Sequence, residues 1–84
     1  MENELIKNLD KLHTTDMGID RIKLNLGIDV DDVVKHCADI IRKQTSLIER
    51  KGKNWYVHFE NVIITVNAYS YTIITAHKEK NSSN

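Results

Sequence analysis

Four histidines and one cysteine carry the side-chain chemistry that is easiest to recognise in this sequence: His13, His36, His58, His77 and Cys37. Imidazole nitrogens and thiolates are common zinc ligands, but the spacing of these residues fits no zinc pattern. His36 and Cys37 are neighbours on a predicted helix and would point about 100° apart. Cys37 also lies on an apolar stripe, which favours a buried thiol over a nucleophile. The sequence therefore predicts no metal site, no cofactor and no catalytic cysteine.

His58 and His77 lie in two strand-like segments and could act together as a base and an acid. Cleavage of RNA without a metal needs a base for the 2′-hydroxyl proton, an acid for the leaving oxygen and a cation for the phosphorane. A ribonuclease would then use His58, His77 and Lys78. The other nearby candidates for the cation and for base stacking are Lys53, Arg50, Tyr56 and Tyr71. The same two histidines would also fit an ordinary solvated sheet face, and both interpretations stay open.

The elements that must position these residues are strands in the second half of the chain. Apolar and polar residues alternate there with few breakers, which predicts strands at 47–50, 54–60, 62–67 and 72–78. The connections are short, so neighbouring strands are antiparallel and form a meander in chain order.

Helical spacing of apolar residues marks the first half of the chain and predicts helices over 2–12 and 16–26. A third helix is expected to begin at the capping residue Asp29, with Asp31 and Asp32 in its first turn. Helices followed by strands indicate an α+β fold in which three N-terminal helices pack on one face of a four-stranded antiparallel meander. Residues 1–78 are expected to form a single domain, and 79–84 a polar C-terminal tail.

Period-two alternation assigns the residues of the strands to two faces. Trp55, Val57 and Phe59 are expected to face the helices, as are Val62, Ile64 and Val66. The opposite face would then show Tyr56, His58, Ile63, Thr65, Asn67, Thr75 and His77, with Ile73 beside them. A one-residue slip would reverse every such assignment.

Two tyrosines in the predicted turn after the third strand, Tyr69 and Tyr71, are more than a turn requires. Exposed tyrosines are frequent contact residues at interfaces. The predicted partner-binding residues are Tyr56, Ile63, Thr65, Asn67, Tyr69, Tyr71 and Thr75.

Length and composition limit the classes of function. A chain of 84 residues is one small domain of marginal stability, and its single cysteine excludes an internal disulfide, so reinforcement by a second copy is expected. The first 44 residues carry seven basic and nine acidic side chains, and the last 40 carry five basic and three acidic ones. The strand half is therefore only mildly basic, far less so than a dedicated nucleic-acid-binding protein. No stretch is apolar enough for a membrane span or a signal peptide, so the expected location is the cytoplasm.

Three helices before a hairpin also fit a winged-helix DNA-binding domain. The recognition helix of such a domain enters the major groove by its N-terminus. That end carries Asp29, Asp31 and Asp32, which repel phosphates, so DNA binding is disfavoured.

Most of the chain resembles a family of small bacterial proteins described as a domain of unknown function. The residues that carry the resemblance are 12–15, 18, 21–22, 25–27, 32–34, 37, 50–57, 63–65 and 67–78. The resemblance implies no activity and no catalytic residues. A looser architectural likeness links the chain to the barnase- and RelE-like ribonucleases, which also place helices before a meander and work from its exposed face. No ribonuclease motif matches residue by residue.

Two functions follow from this reasoning. The leading hypothesis is a small non-catalytic protein-interaction module that binds another protein or forms a homodimer through the sheet face. The alternative is a metal-independent ribonuclease of the barnase/RelE-like type that binds RNA and uses His58 and His77.

Overall fold

The computed structural model describes residues 3–79 and has the predicted α+β organisation. Three α-helices and a short 3₁₀ helix precede four strands. The helices are α1 (Glu4–Lys7), α2 (Asp16–Leu26) and α3 (Val33–Arg42), with the 3₁₀ helix at Leu9–Lys11. The strands are β1 (Leu47–Lys51), β2 (Asn54–Phe59), β3 (Val62–Asn67) and β4 (Ile73–Lys78). The predicted tail falls, apart from Glu79, outside the described residues.

The first helix is much shorter than the predicted 2–12, because Asn8 interrupts it. Its side-chain amide donates to the carbonyl of Glu4, and its own backbone lies outside the helical region. Asparagine competes with the helix for backbone hydrogen bonds in this way. The apolar residues of the segment are still buried, because the 3₁₀ turn that follows brings Leu9 to the same core as Leu5.

Helix α2 has the bounds that the sequence predicts. The hydroxyl of Thr15 accepts the amide proton of Gly18 at the N-terminus. Gly27 ends the helix in the left-handed conformation, at φ 64°, where a residue with a Cβ would be strained.

Helix α3 begins later than predicted, so the assignment of Asp29 as its cap was wrong. The cap is Asp32, whose carboxylate accepts the amide proton of Lys35. Asp31 and Asp32 therefore precede the first turn instead of filling it. Asp32 is the cap because it directly precedes the apolar stripe of α3. From this position a side chain reaches the third helical amide.

The sheet is the predicted antiparallel meander, with order β1-β2-β3-β4. Two tight reversals set its register. Gly52 and Lys53 join β1 to β2, so that Lys51 pairs with Asn54. Glu60, at φ 54°, and Asn61 join β2 to β3. Strand β1 extends to Lys51, one residue beyond the prediction, and β2 ends at Phe59, one residue before it.

A β-bulge in β4 corrects the predicted position of Ile73. The register shifts between Thr65 and Val66, so Ile73 pairs with Val66 while Ile74 is left unpaired. Simple alternation had put Ile73 on the face of Thr75 and His77. The extra residue in the bulge turns it to the opposite side, where it is 2% exposed. Ile74 is 51% exposed.

One hydrophobic core joins the two halves of the chain. Its fully buried members are Leu5, Ile22, Cys37 and Ile41 from the helical half and Val57, Ile64, Val66, Ile73 and Ala76 from the strands. Helix α2 contacts β4, and α3 contacts β2. The strand residues of the core alternate with the residues of the second face of the sheet, as period-two geometry requires.

The outer edge of β4 is covered by the N-terminal half. His13 forms a parallel bridge with Thr72, and its carbonyl accepts the amide proton of Ile73. The Thr14 hydroxyl donates to the Ile73 carbonyl, and the Asn25 amide donates to the Ala76 carbonyl. Thr72 therefore belongs to this bridge and not to β4, which starts one residue later than predicted.

Candidate functional site

The face of the sheet that lies away from the core is here called the histidine face. Strand register brings its members together: Leu47, Glu49 and Lys51 on β1, Asn54, Tyr56 and His58 on β2, Ile63, Thr65 and Asn67 on β3, and Thr75 and His77 on β4. These residues alternate in sequence with those of the core.

A shallow depression of about 380 Å³ lies on the histidine face. Its lining residues are Glu49, Lys51, Tyr56, His58, Ile63, Thr65 and His77. It thus holds a carboxylate, two imidazoles, an ammonium group and a phenol beside Ile63 and Thr65. Titratable groups that converge on one concave surface are a common feature of binding and catalytic sites.

His58 is held by a carboxylate from the neighbouring strand. Its Nε2 lies 3.3 Å from Oε1 of Glu49. The two residues are diagonal neighbours, because Glu49 pairs with Tyr56 and His58 pairs with Leu47. When Nε2, which lies beside Glu49, carries the proton of the neutral ring, Nδ1 is left as its basic nitrogen.

His77 lies on the same face as His58, one strand away. Both pair with Ile63 of β3, from its two sides. Two interstrand steps place their Cα atoms roughly 10 Å apart. His77 Nδ1 is 3.4 Å from the carbonyl oxygen of Lys78, a weak contact that leaves Nε2 free.

The cation of this depression is Lys51, which lies between the predicted strands at 47–50 and 54–60 and not within either of them. Lys78, predicted as the third catalytic residue, pairs with Val62 and therefore lies on the opposite face. Arg50 pairs with Trp55 and also lies on the opposite face. Adjacent strand residues point to opposite sides, so Lys78 cannot share a face with His77.

Glu49 was missed entirely from the sequence. The signal that would have found it is the length of the β1–β2 turn. A two-residue turn at Gly52 and Lys53 places Lys51 opposite Asn54 and hence Glu49 opposite Tyr56. The predicted strands at 47–50 and 54–60 leave three residues between them, and a turn of that length gives no such alignment.

Five of the seven predicted partner-binding residues share the histidine face, and Tyr69 and Tyr71 lie in the loop between β3 and β4. Tyr56, Ile63, Thr65 and Thr75 lie on the histidine face, where Tyr56 and Ile63 are half-buried and Thr65 is buried. Asn67 uses its side chain inside the loop, where Oδ1 accepts the amide protons of Tyr69 and Ser70.

The two tyrosines of the loop differ from each other. Tyr69 is 74% exposed. Tyr71 is half-buried against the core at φ 58°, with Lys11 Nζ 5.8 Å from the centre of its ring. Tyr69 is thus free to contact another molecule, whereas Tyr71 mainly attaches the loop to the N-terminal half.

The other reactive groups stay apart from this site. Cys37 is fully buried in the core, and burial raises the pKa of its thiol from 9.0 to about 12. Within residues 3–79, no three metal-binding side chains come together. None of the helices in that same range has the length and hydropathy that crossing a membrane requires.

A family model matches residues 6–77 of the chain, and its description reads "Protein of unknown function (DUF3781)". No curated protein and no solved structure shows significant similarity to the chain. The family description brings no activity and no site residues, so the functional argument depends on the histidine face itself.

Proposed function

The chain belongs to the DUF3781 family, whose function is not known, and we propose that it is a metal-independent ribonuclease that cleaves RNA on the histidine face. The observation that carries the proposal is the depression that brings His77 and Lys51 together with Glu49 and His58, whose Oε1 and Nε2 atoms lie 3.3 Å apart. The proposal takes the helices to cover the core side of the sheet, which leaves the histidine face open to substrate. It also takes the protein to be cytoplasmic, in keeping with its single free cysteine.

His58 is the general base of the proposed reaction. Its Nδ1 takes the proton of the 2′-hydroxyl, and the 2′-oxygen attacks phosphorus. Glu49 acts as a positioning residue, because its carboxylate lies 3.3 Å from Nε2 and stabilises the imidazolium that forms.

His77 is the general acid. In its protonated form, its Nε2 donates a proton to the 5′-oxygen as the bond between that oxygen and phosphorus breaks. One proton is taken and one is given, so the products are a 2′,3′-cyclic phosphate and a free 5′-hydroxyl. Attack and departure are in line, which matches an acid and a base on opposite sides of the phosphate.

Lys51 supplies the positive charge for the phosphorane. It lines the depression from the end of β1, and charge that develops on the phosphoryl oxygens is stabilised by such a fixed cation. Tyr56, between Lys51 and His58 on this face, offers a ring edge to the substrate.

The test is cleavage of a fluorogenic single-stranded RNA by purified protein in EDTA. We expect 2′,3′-cyclic phosphate ends, and no cleavage of a substrate with a 2′-deoxy residue at the scissile position. His77→Asn should lower the rate about 100- to 10,000-fold, the usual contribution of a general acid. The matched control is His36→Asn on α3, which should leave the rate unchanged, because His36 lies in a separate depression.

Glu49→Gln distinguishes a positioning role from a structural one. The amide keeps a hydrogen-bonding oxygen but loses the charge that stabilises the imidazolium, so the maximum rate should fall and the pH profile should shift while the melting temperature stays the same. An RNA that survives prolonged incubation with well-folded wild-type protein would end the ribonuclease proposal.

Self-association is the second candidate function, and strand β1 favours it. In residues 3–79, β1 pairs only with β2, and Leu47 at its start is 69% exposed. A second shallow depression of about 390 Å³ is lined there by Leu47, Ile48, Glu49 and His58. By contrast, β4 has its outer edge covered by the N-terminal half. A second copy that pairs with β1 would continue the sheet and cover Leu47.

Light scattering tests this second candidate. A non-catalytic module predicts a dimer that Leu47→Glu converts to a monomer, with no effect of Leu24→Glu, an equally exposed position on α2. A monomer at all accessible concentrations would exclude it.

A further inference from the structure

A stack of two aromatic rings and a guanidinium group lies at the end of the sheet where β1 turns into β2. The guanidinium carbon of Arg50 is 5.4 Å from the centre of the Trp55 ring and 5.6 Å from that of Tyr69. Trp55 is buried beneath, whereas Tyr69 is 74% exposed. The order from the interior outwards is therefore indole, guanidinium, phenol, and the outermost ring is open to solvent.

This stack is held in place by the two chain reversals that meet there. Arg50 Nε donates to the carbonyl of Gly52 within the β1–β2 turn. The amide of Ala68 donates to the carbonyl of Lys53, which joins the β3–β4 loop to that turn. Binding to Tyr69 should therefore cost little conformational entropy, since the loop that carries the ring is already ordered.

The charge around Tyr69 is positive. Arg50 lies against its ring, and Lys53 lies in the turn to which its loop is bonded, whereas Lys51 points to the other face of the sheet. Lys51 also lines the depression of the histidine face. Arg50 and Lys51 are consecutive on an edge strand and point to opposite faces of the sheet, so a chain that leaves the depression reaches the stack by passing around the open edge of β1.

We propose that Tyr69 is a stacking platform for a base of single-stranded RNA that flanks the nucleotide in the depression. Exposed aromatic rings backed by arginine and flanked by lysines are what unpaired nucleotides require: a π-face for the base and cations for the phosphates. The stack has no shape that selects one base, so the specificity is for single strands and not for a sequence. This inference rests on the proposed function for its RNA substrate and adds the mode of recognition.

Fluorescence anisotropy with a short labelled single-stranded RNA tests it in the His77→Asn background, where cleavage does not interfere. Tyr69→Ala should weaken binding roughly 5- to 100-fold, the range for loss of one stacked base. Tyr69→Trp should restore it, because an indole stacks at least as well. Lys53→Ala should lower the slope of log affinity against log salt by about 0.7, as expected for one phosphate contact with a single strand.

Leu24→Ala is the matched control, since it removes an equally exposed apolar side chain from α2 and should not change binding. A double-stranded RNA of the same sequence should bind more weakly and show no dependence on Tyr69, because its bases are not available for stacking.

The outcomes separate this inference from the ribonuclease proposal. Binding that depends on Tyr69 without any cleavage by wild type supports the platform and refutes the nuclease. Cleavage by wild type with equal RNA affinity for Tyr69 and its alanine variant refutes the platform alone. Loss of self-association in Tyr69→Ala with unchanged RNA affinity would also overturn the platform and make the ring a protein contact.

Discussion

Two adjacent isoleucines of β4 provide a test of the bulge that separates the core from the histidine face. Ile73 is 2% exposed and Ile74 is 51% exposed, although uninterrupted alternation would place Ile73 on the face of His77. Truncation of the two side chains should therefore have very different effects on the free energy of unfolding. The comparison is well matched, because residue type, strand and sequence context are the same.

The expected magnitudes follow from burial. Ile73→Ala removes three buried carbons next to Val66 and leaves a cavity, which costs about 2–5 kcal/mol. Ile74→Ala removes partly solvated carbons and should cost about 1 kcal/mol or less. Domains of this kind are stabilised by about 5–15 kcal/mol in total, so for a domain at the low end of that range Ile73→Ala leaves much of the protein unfolded. The milder pair Ile73→Val and Ile74→Val should then still differ, with about 0.5–1.5 kcal/mol for Ile73 and almost nothing for Ile74.

Urea denaturation followed by the fluorescence of Trp55, the single tryptophan, measures these free energies. For a domain of this size, each kcal/mol also lowers the melting temperature by about 4–8 °C, so a thermal melt is an independent check. Equal losses for the two valine variants, or a larger loss for Ile74, would refute the bulge and return Ile73 to the histidine face.

Two further measurements test local assignments. Burial raises the pKa of Cys37 to about 12, so between pH 9 and that value only the unfolded chain releases the thiol proton. The free energy of unfolding should then fall by about 1.4 kcal/mol per pH unit relative to Cys37→Ala, which has no thiol to ionise; parallel pH curves for the two proteins would contradict this. Asp32→Ala should cost about 1 kcal/mol as the loss of the α3 cap, whereas Asp29→Ala should cost almost nothing, and both are measured by urea denaturation. A larger loss at Asp29 would restore the capping residue predicted from the sequence.

The sheet could be predicted from the sequence because its signals are local and repeated. Val62–Asn67 was predicted to the residue, since β-branched residues fill it and turns bound it on both sides. The same alternation placed Val57, Ile64 and Val66 in the core. The order of the strands followed from the short connections, which leave an antiparallel meander as the simplest arrangement.

The errors arose where several residues could satisfy the same local rule. Three aspartates precede α3, and any of them has the chemistry of a cap, but only Asp32 has the right position. In α1, the apolar spacing continues past Asn8, while the side chain of Asn8 ends the helix. Helical periodicity reports which face is buried and contains little information about where hydrogen bonding stops.

Only part of the candidate site could be predicted from the sequence, for a different reason. His58 and His77 stand out by residue type alone, and the structure brings them to one depression. Glu49 and Lys51 are common surface residues, and only the pairing of β1 with β2 places them beside His58. Lys78 was chosen for its nearness in sequence to His77, which is the wrong criterion in a strand, because adjacent residues face opposite ways.

The composition of the histidine face therefore depends on two short backbone features that carry no catalytic residue. The two-residue turn at Gly52 and Lys53 fixes which side of β1 meets His58, and one additional residue there would exchange Glu49 and Lys51 for Ile48 and Arg50. The bulge in β4 changes the face of one residue without changing that of the others. It lets Ile73 enter the core beside Val66 while His77, four residues later, keeps its place opposite Ile63. A marginal domain that needs every buried isoleucine can in this way keep a polar, titratable row on the other side of the same strands. This is why the titratable residues of the histidine face and the buried residues of the core alternate along β2, β3 and β4.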